Sequence, residues 1–392
     1  AILSIVSKWL IIGRMKEGDY PLWGTYYFRW WLVKAIQRLT IMQFINSTPI
    51  YNVYLRRLGV KVAPDAQLSA LTIGAEDLVT IGADASLSSQ VVLNNAIVED
   101  GLLKLRRIYI GDHAYIGSSS VVAGNTTIED WGELQDLSHL AEGSVIRRAE
   151  IWNGSPAQLR GNIAEAELKQ PLQVSRSKRN SYKAIFSSLL LVFPVTVLLP
   201  LLPTIVILNE LDNAAPAYDF SYLVYTPFLT LGYVMLFALI TIVLTRLLLV
   251  NIGPGRYPVY SFSYVRKWLA DQLLSLALIV LHPIYATVYV SMFFRALGAK
   301  VGDRTEISTA SNVTHTLLDI GEGSFIADAV SLGEADVRGQ ELILERTSIG
   351  NSSFVGNSAL IPQGYDLPDN MLVGVLSTPP SKEQIAAGNA RD

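Results

Sequence analysis

Proton-transfer chemistry in this chain would rest on few side chains, because its 392 residues include four histidines and no cysteine. Histidine exchanges a proton near neutral pH, so each is a candidate general base. His113 sits in Ile110-Gly111-Asp112-His113-Ala114-Tyr115, and His139 in Asp136-Leu137-Ser138-His139. His315, in Asn312-Val313-Thr314-His315-Thr316, falls in an irregular loop and leads the set, since loops on a rigid scaffold commonly build sites. His282 precedes Pro283 and reads as a structural cap. Glu306, Asp319 and Asp328 are candidate contacts for a cationic substrate, or candidate bases; the alternative is solvated corner residues. Asn357 is either a further substrate contact or a rung of a stacked polar ladder. The lack of cysteine excludes thiol nucleophiles, disulfides and thiolate-bound metal. No phosphate-cradling glycine loop, metal-ligand spacing or nucleophile elbow occurs. The net charge of −3 is too small to imply a nucleic-acid partner.

The element that must carry these residues shows in a period of six. Aliphatic residues recur at Val62 and Leu68, at Ile81, Leu87 and Leu93, and at Ile110, Ile116, Val122, Ile128 and Leu134. A second ladder runs through Val301, Ile307, Ile320, Ile326, Leu332, Ile349, Val355, Ile361 and Leu367, in the same frame 239 residues on. Six fits neither a helix nor an ordinary strand. It fits a triangular solenoid, a left-handed parallel β-helix of hexapeptide repeats, with one aliphatic residue per side pointing inward. Glycine follows at the corners, as in Ile110-Gly111, Ile116-Gly117 and Ile349-Gly350, where its freedom in φ would make the turn.

Half the residues are hydrophobic and 17% are charged. Residues 183–208 and 222–250 each exceed the ~20 needed to cross a bilayer. The loop between them carries Glu210, Asp212 and Asp219, whereas Arg176, Lys178, Arg179, Lys183, Arg246 and Arg256 flank the pair. By the positive-inside rule both solenoids are cytoplasmic, on a multi-pass membrane protein. Residues 28–58 and 265–297 are expected to be proline-broken amphipathic helices, interrupted at Pro49 and Pro283. Each follows a matching loop, Gly18-Asp19-Tyr20-Pro21 or Gly255-Arg256-Tyr257-Pro258. The apolar start of the chain reads as the tail of a longer helix. The expected organisation is residues 1–58 (helix tail, Tyr-Pro loop and amphipathic helix), 59–160 (first β-helix), 161–182 (basic linker), 183–250 (two membrane helices), 251–297 (Tyr-Pro loop and broken helix), 298–380 (second β-helix) and 381–392 (tail).

Trp152-Asn153-Gly154-Ser155-Pro156-Ala157 resembles the signature that ends hexapeptide acyltransferases, which implies that Trp152, Gly154 and Pro156 lie at the rim receiving a pantetheine arm. Paired with membrane helices, the ladders resemble the C-terminal half of the ε-poly-lysine synthetase family of nonribosomal peptide synthetases. The second copy is similar to that family's last domain in Thr305-Glu306-Ile307-Ser308-Thr309, Ser324-Phe325-Ile326-Ala327-Asp328, Phe354-Val355-Gly356-Asn357-Ser358-Ala359 and the ending 372–380. The resemblance implies upstream adenylation and carrier domains, a phosphopantetheine arm as acyl donor, amino acids as substrates and amide formation between them. The duplication suggests a pseudo-trimer or homo-oligomer of prisms, and the second copy is expected to be the active or substrate-binding one. Ala96 stands where many relatives carry a histidine in an early domain. Two other readings remain: a coenzyme A-dependent acyltransferase acting on a lipid or sugar, and a non-enzymatic membrane scaffold or export module.

Overall fold

The computed structural model describes residues 2–39, 43–168, 174–214, 221–282 and 284–380; Pro283, Asp219 and the tail 381–392 lie outside the described residues. The chain divides into two compact units. The first comprises residues 1–186, 257–260 and 336–343, and the second residues 187–256, 261–335 and 344–392.

The ladder of the first unit is a β-helix of three parallel sheets. On its first face Val62, Ile81, Ile110, Ile128 and Ile146 stack in register. On the second, Leu68, Leu87, Ile116, Leu134 and Trp152 do so, and on the third Ile73, Leu93, Val122 and Leu140. Each inward aliphatic lies on its equivalent in the next coil, and Ile110, Ile116, Val122, Ile128 and Leu134 are fully buried. Such burial contributes about 1.5–3 kcal/mol per side chain, which is why every side of the prism needs one.

The corner glycines have another task than the one expected. Gly111 and Gly117 do not adopt left-handed φ; that conformation falls two residues later, on His113 and Ser119. A Cβ on Gly111 would lie 2.7 Å from the backbone nitrogen of Asp130, and one on Gly117 2.5 Å from that of Asp136. Glycine is required because successive coils approach that closely. The incoming aspartates use the gap: Asp130 Oδ1 accepts the Asp112 N–H at 2.9 Å and Asp136 Oδ1 the Ser118 N–H at 2.7 Å. Each coil thereby satisfies an amide of the one below.

Three helices accompany this β-helix, α1 (Ile2–Ile11), α2 (Thr25–Arg38) and α3 (Pro49–Leu58). Pro49 occupies the first turn of α3, where its missing N–H costs nothing. A hairpin of Ala96–Glu99 and Leu102–Leu105 interrupts the ladder and pairs with Gly18–Pro21.

In the second unit Val301, Ile320, Ile349 and Leu367 stack on one face, and Ile307, Ile326, Val355 and Val373 on another. The apolar segment before it holds α4 (Arg176–Leu189, shared with the first unit), α5 (Val192–Leu198), α6 (Leu201–Ala214) and α7 (Thr226–Leu249). Two stretches, Arg176–Ala214 and Ser221–Leu249, are long and apolar enough to cross a membrane. α8 (Phe262–Val280) and α9 (Tyr289–Leu297) lead into the second ladder. A hairpin of Asp336–Arg338 and Glu341–Leu344 interrupts this ladder too, and most of it packs with the first unit.

Candidate functional site

On the second face of the first β-helix, Gln67, Ser86, Tyr115 and Glu133 point outward in one column. Outward positions of a solenoid ordinarily meet water, but Ser86, Tyr115 and Glu133 are all buried. The hairpin at 336–343 covers them. Arg338 Nη1 lies 3.2 Å from Glu133 Oε1, its Nε 2.6 Å from Asp336 Oδ2, and its guanidinium 3.8 Å from the centre of the Tyr115 ring. The hairpin is anchored by a hydrogen bond from the Val259 N–H to the Gln340 carbonyl at 2.8 Å.

Two corners bound this face. At one, the left-handed residues Asp84, His113 and Trp131 follow one another along the prism. His113 stacks on Trp131 with ring centres 4.3 Å apart, and its Nδ1 is 3.5 Å from Asp84 Oδ2. The Asp84 side chain is 2% exposed, and burial raises its pKa against the opposing pull of the Gln340 amide and His113. At 3.5 Å the two groups face one another without a hydrogen bond. A buried carboxylate facing Nδ1 leaves Nε2 as the ring nitrogen free to act as a base.

At the other corner stands Asp136. Asp112 and Asp130 perform the same amide-capping task in solvent, whereas Asp136 is partly buried. Burial first, and then the charge of Asp336, push its pKa up to about 6. Burial likewise holds the Tyr115 hydroxyl protonated. Arg338 keeps its proton despite burial, because Tyr115, Asp336 and Glu133 surround it. The face thus gathers three carboxylates, Glu133, Asp136 and Asp336, around one guanidinium. That surplus of negative charge suits an ammonium group, with a histidine–carboxylate pair at the adjacent corner.

The residues expected from sequence are distributed otherwise. His113 alone joins this cluster. His139 is on the third face, half-exposed; its backbone N–H donates to Gly154 and its carbonyl accepts from Ala157. His315 is 4% exposed, edge-on to Phe294 at 4.5 Å, and neither ring nitrogen has a hydrogen-bond partner. Burial, with the charge of Lys267 adding to it, lowers its pKa to about 3. The ring is thus enclosed in the fold, whereas His113 is the histidine beside the carboxylate cluster. His282 is exposed.

The second-copy polar residues lie on the surface of the second β-helix. Asp319 faces Lys300 at 3.5 Å on the surface. Asp328 accepts from the Ser308 and Thr309 hydroxyls, and its N–H donates to Asn357 Oδ1 at 3.2 Å, a corner rung like those of the first copy. Glu306 is exposed, in register with Phe325. The signature turn closes the prism. Trp152 takes the inward place of the last coil, and its Nε1 donates to Glu150 at 2.9 Å. The Gly154 N–H donates to Ser138 Oγ at 3.0 Å, and Pro156 follows a cis bond. These two N–H groups are satisfied within the prism.

Sequence reasoning missed Asp84, Tyr115, Trp131, Glu133, Asp136, Asp336, Arg338 and Gln340. A usable signal lay in the two copies. Where the first has Ser86, Tyr115 and Glu133, the second, 239 residues on, has Phe325, Phe354 and Leu372. Those are partly or largely exposed, and the two phenylalanines stack at 5.4 Å. At these equivalent outward positions the first copy is polar and the second apolar.

No family model matches the sequence. The chain is 37% identical over 396 aligned residues to Delta-poly-L-ornithine synthetase of Acinetobacter baumannii (strain AB307-0294), an alignment covering 99% of this chain. It spans 30% of that protein's length. Among solved structures, a maltose O-acetyltransferase from Clostridium difficile 630 aligns with 38% of this chain and 94% of its own, at 16% identity and a TM-score of 0.30. A galactoside acetyltransferase in complex with coenzyme A aligns with 32% of this chain and 76% of its own, at 16% identity and a TM-score of 0.24.

Proposed function

We propose that this chain is the acyl-transferring part of a poly-amino-acid synthetase. It passes an aminoacyl or peptidyl group from the thioester of a carrier domain's phosphopantetheine arm to the amine of an amino acid, forming an amide. The observation that carries the reading is the Asp84–His113 pair beside the Glu133, Asp136 and Asp336 carboxylates. The alignment with Delta-poly-L-ornithine synthetase supports it and favours an amino acid with two amines, of ornithine's class rather than lysine's specifically.

In this reading the carboxylates hold the ammonium of the acceptor's second amine and so orient the reacting one. His113 Nε2 takes the proton from the attacking nitrogen as the N–C bond forms at the thioester carbonyl. The C–S bond then breaks, and the imidazolium returns the proton to the departing thiolate. Asp84 stabilises the imidazolium while it exists. Tyr115, held protonated, and Arg338 are the donors available for developing negative charge on the carbonyl oxygen. The acyl donor is a substrate, supplied by adenylation and carrier domains. The two long apolar helices cross the membrane and keep left-handed prisms at its cytoplasmic surface.

The test uses the purified chain in detergent, given ornithinyl- and lysyl-pantetheine thioesters or the same acyl groups on coenzyme A, with free amino acids as acceptors. Products are read by mass spectrometry. Amide formation from the pantetheine thioester is expected, falling ~10²–10⁴-fold in His113→Ala. Undiminished turnover in that variant would remove His113 from the mechanism. A strict requirement for the coenzyme A donor would make the chain a coenzyme A-dependent acyltransferase instead.

A further inference from the structure

A cleft of about 820 Å³ opens on the first face of the same β-helix, under residues 14–17. Its floor is an outward column in which Lys61, Thr80, Tyr109 and Thr127 align across four coils. Arg14, Lys16 and Arg107 stand around it. The cleft has two carboxylates, and both are neutralised. Glu17 pairs with Arg107 at 2.8 Å. Asp77 pairs with the buried Lys8 at 2.8 Å and accepts the Met15 N–H at 2.9 Å. Among the described residues no ion-pair partner faces Arg14, Lys16 or Lys61, so three cations converge on a space walled by hydroxyl donors.

The chain entering this rim indicates what fills it. α1 ends just before Arg14, and its Ile2, Leu3, Val6 and Leu10 are 46–81% exposed. Trp9 is half-exposed and donates its Nε1–H to the Arg57 carbonyl at 2.7 Å, an amphipathic ring with a polar tip. An exposed apolar helix running through tryptophan into a cluster of cations has the order of a bilayer boundary: hydrocarbon, interface, headgroup.

We propose that this cleft binds the phosphate of an acidic phospholipid headgroup, with Arg14, Lys16 and Lys61 as its cationic contacts and the Tyr109 and Thr127 hydroxyls as donors. The inference rests on the membrane reading of the apolar helices. It is independent of the transfer chemistry, since none of these residues belongs to the His113 site.

Native mass spectrometry of the full chain in detergent tests it with water-soluble dioctanoyl phosphatidylglycerol, dioctanoyl phosphatidylcholine, coenzyme A and inorganic phosphate. Phosphatidylglycerol is expected to bind at least ~10-fold tighter than phosphatidylcholine, and less tightly as salt is added. The combined Arg14→Ala, Lys16→Ala and Lys61→Ala variant should weaken it by at least ~10-fold, and Lys300→Ala, an exposed cation on the second β-helix, should leave it unchanged. Lys61→Glu alone serves as a milder variant whose unfolding midpoint is compared with the parent's. Phosphatidylglycerol binding that ignores these substitutions overturns the proposal. Tighter binding of coenzyme A or phosphate, in competition with the lipid, would assign the cleft to a soluble phosphate compound and overturn the lipid assignment. Because the dioctanoyl lipids dissolve without a bilayer, failure of the membrane reading would appear separately, as a chain that stays in solution without detergent.

Discussion

Asp136 shows how one position in a repeat acquires chemistry. Its capping bond to the Ser118 N–H is structural, like those of Asp112 and Asp130. What sets it apart is the covering hairpin, which lifts its pKa from an ordinary 3.8 to about 6, through burial first and the Asp336 charge after. The sign of the consequence follows. Below pH ~4 folded and unfolded chains both hold this proton. Between pH ~4 and ~6 the unfolded chain releases it and the folded chain keeps it, so stability falls as pH rises, by about 1.4 kcal/mol per unit. Asp136→Asn keeps an oxygen for the Ser118 amide and removes the charge. The variant is expected to be about 3 kcal/mol more stable than the parent at pH 8 and equal to it near pH 4, by unfolding midpoints at matched pH. In the transfer assay it should raise KM for the acceptor amine at least ~10-fold, through loss of a charge-assisted contact. Identical pH dependence in the two proteins would mean that Asp136 is solvated and outside the site. Asp84 separates from it kinetically: Asp84→Asn should lower kcat with KM little changed, because it acts through His113.

At the scale of elements, the two copies explain His315. In the first copy the 3₁₀ turn Glu76–Leu78 is tied down by ion pairs, Glu76 to Lys34 at 2.6 Å and Asp77 to Lys8 at 2.8 Å. In the second copy the matching turn is His315–Leu317, held by burial against Phe294. With its pKa lowered to about 3, His315 stays neutral in the fold while the unfolded chain protonates it below an ordinary 6.5. Stability from this group is complete above pH ~6.5 and is lost as pH falls towards 3, about 2 kcal/mol of it by pH 5. His315→Leu should therefore flatten the acid limb of the stability curve and leave amide formation at pH 7.5 intact. Loss of activity in a variant with an unchanged unfolding midpoint would return His315 to the candidate bases.

The same comparison shows what the sequence discloses. The prism was legible because inward positions select aliphatic residues in nearly every coil, which a period of six records. The need for Gly111 and Gly117 was legible too, but not its reason, since close approach of coils and left-handed φ both select glycine. The site was less legible. It uses outward positions, which a period-of-six reading leaves free, and its guanidinium comes from Arg338, 205 residues beyond Glu133. Only a comparison of outward columns, Ser86, Tyr115 and Glu133 against Phe325, Phe354 and Leu372, marks the first copy as different.

For the molecule as a whole, the proposed membrane topology has a direct test, and the composition supplies it. Arg176–Ala214 and Ser221–Leu249 have the length and apolarity of two crossings, with Arg176, Lys178 and Arg179 at one end and Glu210 and Asp212 near the turn. The proposed topology, by the positive-inside rule, has the basic ends in the cytoplasm and the acidic turn across the bilayer. Because the chain has no cysteine, any one introduced is a unique label. Ser177→Cys and Asp212→Cys each replace one polar residue near an end of the first stretch. In intact cells a membrane-impermeant maleimide should label position 212 and spare position 177, whereas in inverted vesicles the preference should reverse. Labelling of both positions from one side would mean that the stretch does not cross. The apolar helices would then need another partner, and the basic cleft beside α1 would lose the argument that assigns it to a lipid headgroup. The Asp84–His113 corner would stand, since its geometry owes nothing to a bilayer.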